Sequence, residues 1–192
     1  NIYVRSLRAG QRVMASVSRF LTERLRLTVN SSKSAVDRPW NRKFLGYSFT
    51  NHRAPKRRIA PKAIERFKDR IRELTRRTRG IALDEMTGPL NSYLRGWLGY
   101  FGRCETPSVL RDLNSWLHRR LRAVVWKQWT TSRRRFSELR RLGVSRDLAA
   151  KTVGSHHGPW RLSKSPALHR ALSTQFFQAL GLATLLPAAP GA

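Results

Sequence analysis

Pro61-Lys62-Ala63-Ile64-Glu65-Arg66-Phe67-Lys68-Asp69-Arg70-Ile71-Arg72-Glu73-Leu74 is the stretch that decides the fold. Ile64, Phe67, Ile71 and Leu74 recur every three or four residues, which lines them along one face of an α-helix. Lys62, Arg66, Lys68, Arg70 and Arg72 take the remaining faces. Pro61 suits the first helical position, where a missing N–H loses no bond. Basic residues continue through Arg76, Arg77 and Arg79, and Gly80 reads as the C-cap.

The helical period persists downstream. A second helix is predicted over 83–101, with Asp84 and Glu85 favourable to the dipole at its start. Its apolar stripe is Met86, Leu90, Leu94, Trp97, Leu98 and Phe101. Thr106-Pro107 opens a third, with Val109, Leu110, Leu113, Trp116, Leu117, Leu121 and Val124 inward. The three form a bundle over 61–129. Shorter helices follow over 133–142, stopped by Gly143, and over 145–153, stopped by Gly154. Two more start at Ser165-Pro166 and Ser173, the last ending at Gly181. This basic helical extension occupies 130–186, and 187–192 reads as a flexible tail.

Upstream the pattern is mixed. Ile2-Tyr3-Val4 reads as a buried strand, so a longer parent chain is expected. A helix is predicted over 10–25 on the stripe Val13, Val17, Phe20, Leu21 and Leu25. Residues 27–36 read as two short strands around Asn30-Ser31-Ser32, and 44–49 as another, with Gly46 at a close backbone approach. The expected class is therefore α+β and predominantly helical, with a short β portion over 1–60 before the bundle.

Charge points to a partner. The chain carries 39 Lys and Arg against 11 Asp and Glu, a formal net charge of +28. The excess is spread along the chain: 14 basic and 2 acidic residues in 1–60, 15 and 7 in 61–129, 10 and 2 in 130–192. So much like charge on one folded body repels itself, and a polyanion is the natural counterweight. With 40% hydrophobic residues in helical stripes, disorder is not expected. The single Cys104 fits a reducing, cytoplasmic compartment without a disulfide framework. No apolar run approaches the ~20 residues of a membrane span.

The residues for catalysis are sparse. Two-metal phosphoryl chemistry needs clustered carboxylates, and the only adjacent acidic pair, Asp84-Glu85, is explained by the helix dipole. One Cys and no His pair four residues apart argue against zinc. There is no Gly-rich phosphate loop and no nucleophilic triad spacing. On its residues alone the chain is a binder, with no catalytic residue, no metal ligand and no cofactor of its own. Aromatics among the arginines offer stacking surfaces for bases. Trp97 and Trp116 read as core, whereas Tyr93, Tyr100 and Trp126 are open between core and surface.

Two blocks carry a family resemblance. Leu25-Arg26-Leu27-Thr28-Val29-Asn30-Ser31-Ser32-Lys33-Ser34 with Arg42-Lys43-Phe44-Leu45-Gly46-Tyr47-Ser48-Phe49 resembles the last palm blocks of bacterial group II intron reverse transcriptases. Asn91-Ser92-Tyr93-Leu94-Arg95-Gly96-Trp97-Leu98-Gly99-Tyr100-Phe101 is similar to the centre of their maturase (thumb, or X) domain. Trp116, Arg119-Arg120-Leu121-Arg122 and Trp126-Lys127-Gln128-Trp129 continue the likeness, which covers essentially the whole chain.

The resemblance implies the end of a polymerase palm over 1–60, a three-helix thumb/maturase domain over 61–129 and a C-terminal extension without an endonuclease domain. It implies that Lys33 lies near the incoming nucleotide and that Phe44, Leu45 and Gly46 form the primer grip. The helices of 61–129 are expected to clamp an RNA/DNA primer–template and to hold structured intron RNA for splicing. The candidate RNA contacts are Arg57, Arg58, Lys62, Arg66, Arg70, Arg76, Arg77, Arg79, Arg95, Tyr100, Arg119, Arg120, Arg122, Trp126 and Lys127. The family's Tyr-Ala-Asp-Asp turn, which holds catalytic Mg, is absent, so the 192 residues are expected to be inactive alone. Two other binding classes stay open. One is a DNA-binding helix-turn-helix over 133–153. The other is an RNA staple like those of ribosomal proteins.

Overall fold

The computed structural model describes residues 1–76 and 81–186. Arg77, Arg79, the expected C-cap Gly80 and the tail 187–192 lie outside the described residues. The chain is predominantly helical, as its periodicity predicts, with nine α-helices and two three-residue strands among the described residues. It divides into two compact units, Asn1–Lys56 and Arg57–Ala192.

In the first unit, α1 spans Leu7–Glu23 and starts earlier than the apolar stripe suggests. Ser6 is its N-cap, its hydroxyl accepting a hydrogen bond from the Ala9 amide at 3.2 Å. Only Gly10 and Ser48 are buried among this unit's described residues. Ile2, Tyr3, Phe20, Leu25 and Leu27 all stand more than half exposed. That explains two corrections. Neither 2–4 nor 27–36 forms a strand, because a lone extended segment needs a paired neighbour and a covered face to be stable.

The turn predicted within 27–36 does form. Asn30 Oδ1 accepts from the Lys33 amide at 3.1 Å and from the Ser32 hydroxyl at 2.7 Å. The strand expected over 44–49 is shorter, β1 at Tyr47–Phe49, because the chain folds back at Leu45-Gly46. Phe44 and Tyr47 exchange both main-chain hydrogen bonds at 2.9 Å. Leu45 and Gly46 have φ of 50° and 79°, as a two-residue type I′ hairpin requires. Gly46 thus serves a left-handed turn.

The second unit opens with β2 (Arg57–Ile59). Its buried Ile59 leads into α2 (Pro61–Leu74), with Pro61 in the first turn. Helix α3 spans Leu83–Phe101 and α4 Pro107–Gln128. Phe67 and Ile71 of α2 are fully buried, and Phe67 meets Trp97 of α3 with ring centroids 4.5 Å apart. Such a pair adds about 0.5–1.5 kcal/mol beyond area burial. Helix α2 ends at Thr75, whose hydroxyl donates to the Ile71 carbonyl at 2.6 Å.

Helix α4 is the centre of the unit. All six residues of 121–126 are buried, because segments that follow α4 pack in the same core with it. Those segments are α5 (Ser132–Arg141), α6 (Arg146–Val153), α7 (Pro159–Leu162), α8 (Pro166–Ala171) and α9 (Thr174–Ala179). Gly143, at φ +81°, turns the chain between α5 and α6. Leu139, Val144, Leu168, Leu172 and Phe177 join the same buried cluster as α4. The final stretch is pinned by side chains. The Asn91 amide donates to the Gly181 carbonyl and its Oδ1 accepts from the Ala183 amide, both at 2.7 Å. Asn114 Oδ1 accepts from the Leu185 amide at 3.2 Å.

Candidate nucleic-acid interface

Helix periodicity decides which cations of the second unit reach solvent. On α2, Lys62, Arg66 and Arg70 follow one another at four-residue spacing on an exposed face. The acids of α2 lie among them and neutralise part of the helix locally. Lys68 pairs with Glu65 at 3.5 Å, Arg70 with Glu73 at 2.8 Å and Arg72 with Asp69 at 2.6 Å. Off the helix, Arg57 pairs with Glu105 at 3.4 Å. These pairs are solvent-exposed and contribute little to stability. Lys62, Arg66, Arg76, Arg95, Arg103, Arg111 and Lys127 are exposed and lie outside the ion pairs of the described residues. The α2 ladder borders α3: burial pushes the Tyr93 phenol up in pKa, while the charges of Arg70 and Arg66 oppose that shift.

The segment around Trp97 splits cleanly between two faces. Leu94 and Trp97 point into the core, whereas Ser92, Arg95, Gly96, Gly99 and Tyr100 are exposed. A Cβ added at Gly96 or Gly99 meets nothing within 4 Å. The outer surface of α3 is therefore bare backbone flanked by a guanidinium and by Tyr100, which is 50% exposed. Arg58 of β2 is half-buried.

Four expected contacts are engaged inside the fold. Trp126 is 1% exposed and has no face to offer a base. Its ring is covered by the Arg135 guanidinium, 4.8 Å from the centroid. Arg122 is 6% exposed, with Nε donating to the Ser163 carbonyl at 3.0 Å and Nη1 to the Leu172 carbonyl at 3.4 Å. Burial, and then the neighbouring Arg119, push its pKa below the usual guanidinium range. Arg120 donates to the Thr75 hydroxyl at 3.0 Å and lies 3.4–3.5 Å from the Thr75 and Arg72 carbonyls, capping the end of α2. Arg119 lies over Trp160 of α7, 3.8 Å from the ring centroid. The missed signal was Leu121-Arg122-Ala123-Val124-Val125-Trp126, almost apolar all round and hence a helix covered on every side.

In the first unit, Lys33 is exposed on the turn that Asn30 organises. Phe44 and Leu45 are 56% and 66% exposed at the hairpin tip.

One histidine of α4 is buried. His118 is 5% exposed, stacks on Phe177 at 5.4 Å and has the Asn114 amide nitrogen 3.5 Å from Nδ1. Burial first, then the charge of Arg122, lowers its pKa from 6.5 to about 4. The unfolded chain therefore binds a proton that the folded chain refuses between those values. The stability contributed by neutral His118 is complete above pH 6.5 and is lost as pH falls towards 4, amounting to about 2 kcal/mol after allowing for partial solvation. Chemical denaturation of wild type and His118→Gln across that window checks this. The wild-type loss should exceed the variant's, and a His118 resonance titrating near pH 6.5 would contradict it.

Among the described residues no group of three or more His, Cys, Asp or Glu could hold a metal ion. No helix among them is long and apolar enough to cross a membrane.

No curated protein matches the chain. From the first turn of α2 to the glycine that ends α5, however, residues 64–143 match the family model of the group II intron, maturase-specific domain, and so carry the signature of a maturase-type function in splicing.

Proposed function

We propose that the chain is the RNA-binding C-terminal part of a bacterial group II intron-encoded reverse transcriptase/maturase. Residues 61–129 are its thumb/maturase domain, 130–186 its extension and 1–60 the end of its palm. The observation that carries this reading is the maturase-domain match over a bundle whose exterior holds cations outside the ion pairs of the described residues. Structured RNA is held largely through phosphates and shape, with splayed bases stacked on aromatics. Lys62, Arg66, Arg70, Arg76, Arg95 and Lys127 neutralise intron phosphates, and the bare face of α3 admits the RNA backbone beside Arg95. Binding the active intron conformation in preference to others stabilises it, with no protein chemistry required. In the full-length polymerase the same helices clamp the primer–template. Lys33 then meets the nucleotide, and Phe44, Leu45 and Gly46 meet the primer end.

A salt titration of RNA binding tests the reading. With about eight phosphate contacts, affinity falls by roughly 10⁴-fold between about 50 and 200 mM salt. Arg66→Glu should weaken binding and make the salt slope shallower by about one contact or more. An affinity indifferent to salt would contradict the proposal, as would nucleotide incorporation by the 192 residues alone.

A second reading draws on α5 and α6. They are joined through Gly143 in the order of a helix-turn-helix, which suits duplex DNA. The exposed positions of α6 include Arg146, Asp147, Ala150 and Lys151, with no Asn or Gln to read bases. Retention of one duplex DNA against excess folded RNA would favour this reading.

A further inference from the structure

Of the six tryptophans, Trp97, Trp126 and Trp129 are buried and Trp40 and Trp116 partly so, whereas Trp160 on α7 is 39% exposed. Its setting is built. The Arg119 guanidinium stacks 3.8 Å from the indole centroid. The same side chain donates from Nη2 to the Trp160 carbonyl at 3.1 Å and from Nε to the Ser163 hydroxyl at 3.4 Å. Ser163 itself donates to the Trp160 carbonyl at 2.7 Å. Leu162 and Ser163 are buried beneath, so the turn carrying the ring is anchored to α4.

The surroundings favour an anion. His156, His157, Arg161 and Lys164 are exposed along the same stretch, and the sequence has no acidic residue after Asp147. A large indole left in water and fixed by a cation is poorly explained by folding alone. It has the composition of a site for single-stranded nucleic acid, where bases stack on an aromatic and cations hold the backbone.

We propose that Trp160 is a stacking platform for an unpaired base of RNA, with Arg119 holding the ring and Arg161 and Lys164 taking the flanking phosphates. This deepens the RNA-binding reading and rests on it. Two probes separate the contributions: an RNA hairpin closed by a long uridine loop, and a fully paired RNA duplex of matching length. Trp160→Leu keeps apolar bulk and Trp160→Phe keeps a ring. The hairpin should bind Trp160→Leu roughly 5- to 100-fold more weakly than wild type, with Trp160→Phe in between and the duplex unchanged for all three. A 2-aminopurine in the loop should be quenched by wild type and not by Trp160→Leu. Undiminished hairpin binding by Trp160→Leu overturns the platform while leaving the RNA-binding reading intact, and so does an equal loss for hairpin and duplex. Failure of wild type to bind either RNA overturns both.

Discussion

Arg122→Ala is expected to destabilise the second unit by about 3 kcal/mol while leaving the RNA affinity of the folded protein within about twofold. The guanidinium is 6% exposed and its two hydrogen bonds run to the Ser163 and Leu172 carbonyls, one on either side of α8. Hydrogen bonds to a charged group contribute about 1.5–3 kcal/mol each, and truncation leaves both carbonyls unmatched. The gain is reduced by the cost of keeping a cation out of water, and Arg122 has no carboxylate beside it to offset that cost among the ion pairs of the described residues. For a chain of this length the net loss lowers the melting temperature by roughly 6–12 °C. Arg122→Lys should recover little of it, because one ammonium on a flexible stem cannot reproduce the fork that spans two carbonyls. An unchanged melting temperature with a fallen affinity would place Arg122 at the RNA surface and contradict its assignment as an internal strut.

The contrast between Arg122 and Arg95 marks how far the sequence alone can be read. Where one helix packs on another, spacing was sufficient. Phe67, Ile71, Leu90, Leu94, Trp97, Leu117 and Leu121 are buried as their period predicts, and α3 runs over the expected residues. Ser and Gly punctuation placed α5, α6, α8 and α9, since a cap or a left-handed stop is a local property. What could not be read was the packing between distant segments. Nothing within 119–126 shows that 160–172 folds over it and ties down Arg119 and Arg122, or that the end of α2 does the same for Arg120. The short α7, which carries Trp160, has too few residues for any periodic signal. The strands expected at 2–4 and 27–36 failed for a related reason. Their residues have the right β-branched composition, but a strand is defined by its partner, and in the first unit almost nothing is covered.

Gly99→Glu is expected to change stability and binding in opposite directions. Glycine in an exposed helix interior costs about 1 kcal/mol relative to alanine, because the unfolded chain is freer and no side chain shields the backbone. Gly96 and Gly99 both lie within α3, and beyond the adjoining residues and the helix's own backbone neither has an atom within 4 Å of the Cβ position. Folding thus gains nothing from either residue, yet α3 carries the cost of both. A partner that comes close to the helix backbone gives them a purpose, and the neighbouring Arg95 and half-exposed Tyr100 suit that partner to a phosphate chain with bases. Gly99→Glu should therefore raise unfolding stability by about 0.5–1 kcal/mol. It should lower RNA affinity by roughly 100-fold, about 2.7 kcal/mol, because bulk and negative charge now stand where phosphate passes. Gly99→Ala separates the two causes: it should stabilise the helix by about 1 kcal/mol and weaken binding less, since it adds a methyl group without charge. Were Gly99→Glu to gain stability and bind RNA as wild type does, the α3 face would be excluded as the contact surface, and Lys62, Arg66, Arg70, Arg76 and Lys127 would have to carry binding without it.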